Sequence, residues 1–335
     1  TLTSRNNLAG AYESAGRLGK AIPLLEGVLA DRVRVLGDDH PDTLTSRNNL
    51  AGAYESAGRL GKAIPLLEGV LADRVRVLGD DHPDTLTSRN NLAGAYESAG
   101  RLDEAIPLYE QVLADSVRVL GEDHPHTLTS RNNLAYAYES AGRLGEAIPL
   151  FEEVLADTVR VLGEDHPHTL TSRNNLAHAY QAAGRLDEAI TLFKQNLNDS
   201  LRLLGADHPD TLTSRNNLAS AYESAGRLDE AIPLYEQVAA DSVRVLGDNH
   251  PHTLASRNNL AYAYYSAGRL NEAITLYEET LADSLRVLGP DHPHTLASRN
   301  NLASAYESAG RLDDAKALFD QPTDPDGTGT DRTDN

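Results

Sequence analysis

The stretch Ser4-Arg5-Asn6-Asn7-Leu8-Ala9-Gly10-Ala11-Tyr12 occurs eight times, nearly unchanged, at a constant spacing of 42 residues. No insertion or deletion interrupts the series, and residues 1–42 are identical to residues 43–84. A fixed period of this length is typical of solenoids and propellers. We therefore expect one elongated array whose apolar core runs along its length rather than sitting at a centre.

The repeat frame divides the chain into an array and a tail. Residues 1–320 are predicted to form a solenoid with seven full repeats starting at 1, 43, 85, 127, 169, 211 and 253, and a partial eighth from 295. Residues 321–335 are rich in Pro, Gly, Thr and Asp, so we expect a disordered acidic tail. Because the chain begins inside a repeat and without Met, we also expect a fragment of a longer protein. Positions within a repeat are numbered below as in its first copy.

Each repeat has the pattern of two helices, which predicts an all-α fold. Leu8, Tyr12 and Ala15 fall on one face of a first helix, and Gly16 is expected to end it in a left-handed conformation. A second helix is predicted from about residue 19, with each helix about 16 to 18 residues long. Its apolar face is broader and comprises Ala21, Ile22, Leu25, Val28, Leu29 and Val33.

Turn and cap residues divide the helices. Pro23 is expected near the first turn of the second helix, Gly37 at its end, and Pro41 at the start of the next first helix. Acidic residues stand where the second helix begins in several repeats, and we predict that they are its N-caps. They are Asp103, Asp187, Asp229 and Asp313.

Composition excludes several classes of function. There is no Cys, so no disulfide framework or thiolate nucleophile is available. The net charge of −20 argues against nucleic-acid binding, which needs a basic surface. No apolar run approaches the length needed to span a bilayer, and no signal peptide opens the chain, so we expect no membrane partner and a soluble, cytoplasmic protein.

The pattern Ala93, Tyr96, Gly100, Ala105 and Tyr109 resembles the tetratricopeptide repeat. The 42-residue length, the string N-N-L-A and the connector 121–125, which reads Gly-Glu-Asp-His-Pro, are similar to the repeats of kinesin light chains and of related bacterial arrays. The resemblance covers residues 1–320. It implies a right-handed α-solenoid of antiparallel helix pairs that serves as a protein-interaction scaffold, with first helices lining a concave groove.

On a helical wheel, the side of the first helix opposite Leu8 and Tyr12 carries Thr3, Asn6, Asn7, position 10, Glu13 and Ser14. We call this set, with its equivalents, the first-helix face. Amide side chains offer both a donor and an acceptor, so a row of Asn pairs is able to bind the backbone of an extended peptide. The resemblance implies the same role for the Asn residues of this segment. The pairs are Asn6 and Asn7, Asn48 and Asn49, Asn90 and Asn91, Asn132 and Asn133, Asn174 and Asn175, Asn216 and Asn217, Asn258 and Asn259, and Asn300 and Asn301. The alternative is that one Asn of each pair bonds a neighbouring helix and only sets the stacking of repeats.

Position 10 varies while its neighbours barely change. It is Gly in three repeats, Ser in two, and Tyr136, His178 and Tyr262 in the others. Variation confined to one site on the face is expected of tuned recognition on a constant frame, and also of drift at a tolerant surface position.

Arg5 recurs in every repeat on the core side of the first helix, where an unpaired charge would be costly. The antiparallel second helix should bring the recurring Asp31 close to it, so we predict an Arg–Asp bridge inside each repeat. His40 also recurs, and some connectors contain a second His, as in His124-Pro125-His126. A His pair is able to bind metal, but the intervening Pro favours roles in the loop and at the helix start. We expect no metal and no cofactor.

No nucleophile–base set, phosphate-binding Gly loop or paired carboxylate site stands out, so the protein is not predicted to be an enzyme. We expect it to bind extended polar or basic peptide segments of a protein partner. Glu13 and its equivalents make the acidic cargo of kinesin light chains an unsuitable partner. One alternative is a sensor or assembly arm of a larger bacterial signalling ATPase, of which this chain is a C-terminal fragment and whose missing N-terminal domain is its partner. A second alternative is a structural spacer without a ligand.

Overall fold

A computed structural model describes residues 1–320, which form sixteen α-helices and contain no strand. The predicted tail, residues 321–335, lies outside the described residues. The chain divides into two compact units, residues 1–183 and residues from 184 onward. Within each unit every helix packs against the next one along the chain, which confirms the predicted all-α solenoid of helix pairs.

The first helices of successive repeats alternate with the second helices. The first helices are α1 (Leu2–Ser14), α3 (Pro41–Ser56), α5 (Pro83–Ser98), α7 (Pro125–Ser140), α9 (Pro167–Ala182), α11 (Pro209–Ser224), α13 (Pro251–Ser266) and α15 (Pro293–Ser308). The second helices are α2 (Leu18–Leu36), α4 (Leu60–Leu78), α6 (Leu102–Leu120), α8 (Leu144–Leu162), α10 (Leu186–Leu204), α12 (Leu228–Leu246), α14 (Leu270–Leu288) and α16 (Leu312–Asp320). Within residues 1–320, none of these helices is both long enough and apolar enough to cross a membrane.

The turn between the two helices of a repeat is a left-handed glycine stop, as predicted. Gly58 has φ +67°, a conformation that a side chain would strain. The amide of Arg59 donates to the carbonyl of Tyr54 at 2.8 Å, and that of Gly58 donates to Glu55 at 2.8 Å. These bonds satisfy carbonyls that the end of α3 leaves without helical partners.

The second helix begins one residue after this turn, which overturns the predicted N-caps. In α6 the capping residue is Arg101, whose side chain makes no capping bond, and Asp103 lies inside the first turn. There its charge is still favourable, because the amino end of a helix carries partial positive charge. The expectation for Pro23 is also wrong, because Pro23 is the sixth residue of α2 and not part of its first turn. The remaining residues predicted as N-caps, Asp187, Asp229 and Asp313, lie in the first turns of their helices as well.

The connectors are capped by histidine. His82 precedes Pro83 at the start of α5, and its Nδ1 accepts a hydrogen bond from the amide of Asp84 at 3.1 Å. The same bond is made by the first His of all seven connectors, with partners two residues on. The predicted helix-start role of His40 and the predicted position of Pro41 are therefore confirmed.

Within a unit, a second helix such as α4 is buried between the first helices on either side of it. In α4, Ile64, Leu67 and Val70 are buried, and in the flanking first helix Leu92 and Tyr96 are buried. The tyrosines at position 12 also make polar contacts across repeats. For example, the hydroxyl of Tyr96 donates to Glu68 at 2.7 Å, and burial raises the pKa of Tyr96 to about 12.

The predicted Arg–Asp bridge inside the repeat is confirmed. Arg89 has only 4% of its side chain exposed and donates to Asp115 at 2.9 Å. It also contacts Asp80 of the preceding connector at 3.0 Å. Bridges of this kind include Arg5–Asp31, Arg47–Asp73, Arg89–Asp115, Arg131–Asp157, Arg215–Asp241 and Arg257–Asp283.

In most repeats a second arginine extends the bridge toward the preceding repeat. Arg118 contacts Asp115 at 2.7 Å and reaches Asp81 of the preceding connector, with Nη1 at 2.8 Å from its carboxylate. The hydrogen bonds from Arg118 lower the pKa of Asp81 below its ordinary value. The repeats are thus joined by charges at the connectors as well as by apolar packing.

Replacing Asp115 with Asn is expected to lower the free energy of unfolding by about 3 kcal/mol, because a buried guanidinium loses its nearest counter-charge. Urea denaturation followed by circular dichroism measures this loss. The matched control is Glu104→Gln, which breaks the exposed pair with Arg101 and should cost much less, because solvent screens this pair. Equal losses in the two variants would contradict the structural role of the buried bridge.

Candidate functional site

The first-helix face is a regular polar surface within each unit. Most of its Asn side chains are half-buried, whereas Asn7 and Asn300 are exposed. Asn175 is buried, with 7% exposed, and therefore differs from the open amide expected at this position.

The Asn pairs are linked to one another across repeats. The Nδ2 of the second Asn in a pair donates to the Oδ1 of the first Asn in the preceding repeat. The bonds are Asn49–Asn6 at 3.3 Å, Asn91–Asn48 at 3.1 Å, Asn133–Asn90 at 2.9 Å, Asn175–Asn132 at 3.1 Å, Asn259–Asn216 at 3.0 Å and Asn301–Asn258 at 3.4 Å. Asn174 and Asn217 also have partners. The stacking role that was the alternative to peptide binding is thus present in the structure.

This bond uses only part of each pair. It engages the oxygen of the first amide and one hydrogen of the second. An Asn side chain has two N–H donors and an oxygen with two lone pairs. The bond therefore leaves the NH₂ group of a first Asn such as Asn48, and the oxygen of a second Asn such as Asn91, outside the ladder.

A carboxylate ladder runs parallel to the amides. The hydroxyl of Ser98 donates to Glu55 of the preceding repeat at 3.0 Å, and Ser140 donates to Glu97 at 3.3 Å. The same contact joins Ser56 to Glu13 at 3.3 Å. The first-helix face of the first unit is therefore acidic as well as rich in amides.

Tyrosines of the second helix also reach this face, which was not predicted from the sequence. At position 25 the second helix carries Leu in the first two repeats and an aromatic residue afterwards. The hydroxyl of buried Tyr109 donates to Glu97 at 3.0 Å, and that of Tyr235 donates to Glu223 at 2.9 Å. The change from Leu to Tyr in the same repeat register was the signal available in the sequence.

Position 10 lies directly above these aromatic residues. Tyr136 has 38% of its surface exposed, and its ring meets Phe151 edge-on with centroids 5.1 Å apart. A Cβ on Gly94 would lie 3.4 Å from the hydroxyl of Tyr109. The residue at position 10 is therefore in contact with the residue at position 25 as well as with solvent.

The other two predicted position-10 residues are also on the surface. Tyr262 has 47% exposed and lies 6.2 Å from Tyr265, centroid to centroid. His178 is exposed in part, yet the protein atoms around it displace enough water to lower its pKa. Both aromatic side chains present polar and π surfaces that a bound segment is able to contact.

Burial also changes the chemistry of two carboxylates on the face. It raises the pKa of Glu139 and that of Glu223 above the ordinary value for glutamate. For Glu223 the hydrogen bond from Tyr235 opposes this rise. The Oε1 of Glu223 is buried and has no hydrogen-bond partner, which accounts for the direction of the shift.

The connector histidines stack without forming a cluster of ligands. His124 and His126 lie with ring centroids 5.5 Å apart and nearly parallel. Across residues 1–320, no group of three or more His, Cys, Asp or Glu residues is placed to hold a metal ion.

Comparison with known protein families identifies the repeat. Seven overlapping segments match the tetratricopeptide repeat, namely residues 1–74, 56–116, 91–158, 141–198, 168–241, 222–283 and 255–321. The chain belongs to the tetratricopeptide repeat family. The similarity to kinesin-light-chain repeats is confirmed as well, and the comparison with curated protein sequences gave no match.

Solved structures of tetratricopeptide repeat (TPR) proteins have the same fold. The nearly identical TPR-like repeats of a Podosopora anserina protein described as a kinesin light chain are 39% identical, with a TM-score of 0.57 over 61% of this chain and 97% of that chain. BtubC from P. vanneervenii is 23% identical, with a TM-score of 0.60 over 70% of this chain and 94% of that chain. A STAND signal transduction ATPase with a TPR sensor, from Pyrococcus horikoshii, is 14% identical, with a TM-score of 0.63 over 95% of this chain and 46% of that chain.

TPR arrays generally mediate protein–protein interaction, and this chain shares their helix-pair architecture. Its first-helix face combines amides, carboxylates and partly exposed aromatic rings at repeat intervals. These are groups that bind protein segments by hydrogen bonds and stacking, and they make this face the candidate interaction site.

Replacing Tyr235 with Phe is expected to raise the pKa of Glu223 further, because the variant lacks the hydroxyl that stabilises the carboxylate. A folded-state pKa above the unfolded value means that stability from Glu223 is present at low pH and is lost as pH rises through the folded pKa. As the pH rises, the variant should therefore lose more stability than the unaltered protein does. The loss should also continue to a higher pH. Carbon-13 NMR titration of the Glu223 carboxyl checks the shift, and Tyr109→Phe in the first unit should leave it unchanged. A lowered pKa of Glu223 would contradict this account.

Proposed function

We propose that this TPR protein is a scaffold that binds extended peptide segments along its first-helix face. The observation that carries the proposal is the Asn ladder, whose bonds leave an NH₂ group on the first Asn and a carbonyl oxygen on the second. Asn48 and Asn91, and Asn90 and Asn133 one repeat on, offer these donors and acceptors at repeat intervals. A peptide backbone also presents donors and acceptors in alternation, so the ladder matches it without reading its sequence.

The ladder also fixes the amides before a partner arrives. The Asn91–Asn48 and Asn133–Asn90 bonds hold the side chains of successive repeats in one orientation. Less side-chain entropy is then lost on binding, and preorganisation of this kind raises affinity. Stacking and recognition are therefore compatible roles of the same side chains.

Charge defines the class of partner. Glu13, Glu55 and Glu97 belong to the same face as the amides and accept hydrogen bonds from the serines of the next repeat. A carboxylate row favours polar or basic segments and disfavours acidic ones. Position 10 then determines which side chains of the partner bind well, since Tyr136 and Tyr262 offer partly exposed rings for stacking and for contact with cations.

The alternative role, a sensor or assembly arm of a larger signalling ATPase, is consistent with the fold shared with the STAND protein, which has a TPR sensor. In that case the partner of the first-helix face is another domain of the same assembly. A spacer without ligands is the remaining alternative, and the experiment below separates it from the peptide scaffold.

Binding to the amides is tested by a substitution that preserves the ladder. A neutral peptide, free of Arg and Lys, is first selected from a phage-displayed library of random dodecapeptides. Asn48→Asp and Asn216→Asp keep the oxygen that accepts from the next repeat but lose the NH₂ group. Fluorescence anisotropy should show binding weakened about fivefold per substitution, equivalent to roughly 1 kcal/mol.

The control variant carries Gln111→Glu and Gln237→Glu, which add the same charge at exposed positions of second helices. It should bind the peptide as the unaltered protein does. A library that yields no binder would favour the spacer, and equal affinity in the Asn variant and the control would exclude a role for the amides.

A further inference from the structure

A buried arginine fills the space between neighbouring repeats near the start of the array. Arg74, on α4, has only 4% of its surface exposed. Its Nη1 donates to the carbonyl of Asp84 at 2.7 Å and to the hydroxyl of Ser88 at 2.8 Å, and its Nη2 donates to Thr45 at 3.3 Å. The guanidinium is thus held by three oxygens from the first helices on either side of α4.

Arg32, one repeat earlier, makes the same contacts with its following first helix. It is buried, with 8% exposed, and its Nη1 donates to the carbonyl of Asp42 and to the hydroxyl of Ser46, both at 2.7 Å. Two copies of one arrangement show that this junction accepts a guanidinium and gives its Nη atoms oxygen partners, although the Nε of Arg74 is buried without a partner. A planar group with five N–H donors is suited to several oxygens at once.

The next repeat has Ser116 where Arg74 stands, and a cavity replaces the arginine. Its volume is about 170 Å³, and its lining includes Thr87, His126 and Ser130. These are the equivalents of the three residues that hold the guanidinium of Arg74. The walls also include Leu86, Val112 and Leu120, which are suited to the methylene groups of an arginine side chain.

The following repeat has Thr158 at this position and a second cavity of about 220 Å³. Its lining includes Thr129, His168 and Ser172, the same three positions one repeat further on. Both cavities also include an Asn of the first-helix face in their lining, Asn90 in the first and Asn132 in the second. The cavities therefore adjoin the surface proposed to bind peptide.

In both cavities the serine hydroxyl and the backbone carbonyl that would accept from a guanidinium are hydrogen-bonded to each other. Ser130 donates to the carbonyl of His126 at 2.8 Å, and Ser172 donates to the carbonyl of His168 at 2.9 Å. In the arginine-filled junctions the corresponding serine and carbonyl oxygens instead both accept from the guanidinium. Rotation of one serine hydroxyl would restore the acceptor pair.

The hydroxyl that replaces the arginine at position 32 has a partner in some repeats but not in others. The Ser116 hydroxyl lies 3.5 Å from the Ser130 hydroxyl, and Thr158 donates to the carbonyl of Leu155 at 3.0 Å. The hydroxyl oxygens of Ser242 and Ser284, both at this position, are buried and have no hydrogen-bond partner. A buried polar atom without a partner is costly, and a bound donor removes that cost.

We propose that the cavities beside Ser116 and Thr158 each bind the guanidinium group of an arginine side chain. The arginines that fill the two earlier junctions are the template for this contact. The inference rests on the proposed function only in assigning the arginine to a bound peptide. The inference specifies which side chains the peptide would supply: one arginine for the cavity beside Ser116 and one for the cavity beside Thr158.

The probe is Nα-acetyl-L-arginine amide, with the citrulline derivative as an uncharged analogue of the same shape. In nitrogen-15 NMR titrations of the full chain, the arginine derivative should give saturable shifts at the amides of Thr87, Ser130, Thr129 and Ser172. The citrulline derivative should bind at least about tenfold more weakly, because hydrogen bonds from a charged donor are stronger. Equal shifts with both compounds, or no saturable shift with arginine, would overturn the proposal.

Two matched variants test the site, one that fills the cavities with arginine and one that removes the arginines from the filled junctions. Ser116→Arg with Thr158→Arg fills both cavities as Arg32 and Arg74 fill theirs, and should abolish the shifts while the protein stays folded. Arg32→Ser with Arg74→Ser should create two new titrating sites at Ser46 and Ser88. If the filled variant still binds the arginine derivative at the same amides, the cavities are not the site.

These outcomes are separate from those of the proposed function. Retained binding of the selected neutral peptide together with no arginine binding would overturn this inference alone. Arginine binding at the cavities together with failure of every library peptide would overturn the proposed peptide scaffold and leave the guanidinium site.

Discussion

The constraint on which the rest of the structure depends is a guanidinium enclosed between two helices of the same repeat. Arg89 is almost fully buried, so it needs a carboxylate, and Asp115 on the antiparallel helix provides it. Asp115 also binds Arg118, and Arg118 reaches Asp81 in the preceding connector, so the buried bridge is coupled to the preceding repeat. Apolar packing alone would allow helices to slide, whereas directional charge contacts accept one register.

Exact repetition means that a polar group on one repeat finds its partner on the neighbouring copy. The Asn–Asn and Ser–Glu contacts of the first-helix face are both of this kind, joining residues 43 apart. A ladder of this type couples neighbours without using every donor and acceptor of an amide. The same side chains are consequently able to stabilise the stack and to face a partner.

The repeats are distinguished from one another by the residues at positions 10 and 32. Position 10 varies between repeats, and in the fourth repeat its residue, Tyr136, contacts Phe151 at position 25. Position 32 changes from a buried arginine to a hydroxyl residue, and cavities lie beside Ser116 and Thr158. These departures from the consensus alter the surface and the junctions while the frame stays constant, so they are where selectivity for a partner is expected to arise.

The sequence by itself determined the helix pairs, the glycine stops, the histidine and proline at each helix start and the bridge between Arg5 and Asp31, because these follow from local geometry and from periodicity. It misplaced the caps of the second helices, because the turn at Gly100 advances the helix start to Leu102 and leaves Asp103 inside the first turn. Only the tertiary structure decided that the Asn amides bond one another, that position 25 reaches the first-helix face, and that a serine in place of Arg74 is accompanied by a cavity. Those properties depend on distances between side chains of different repeats, which a linear pattern does not contain.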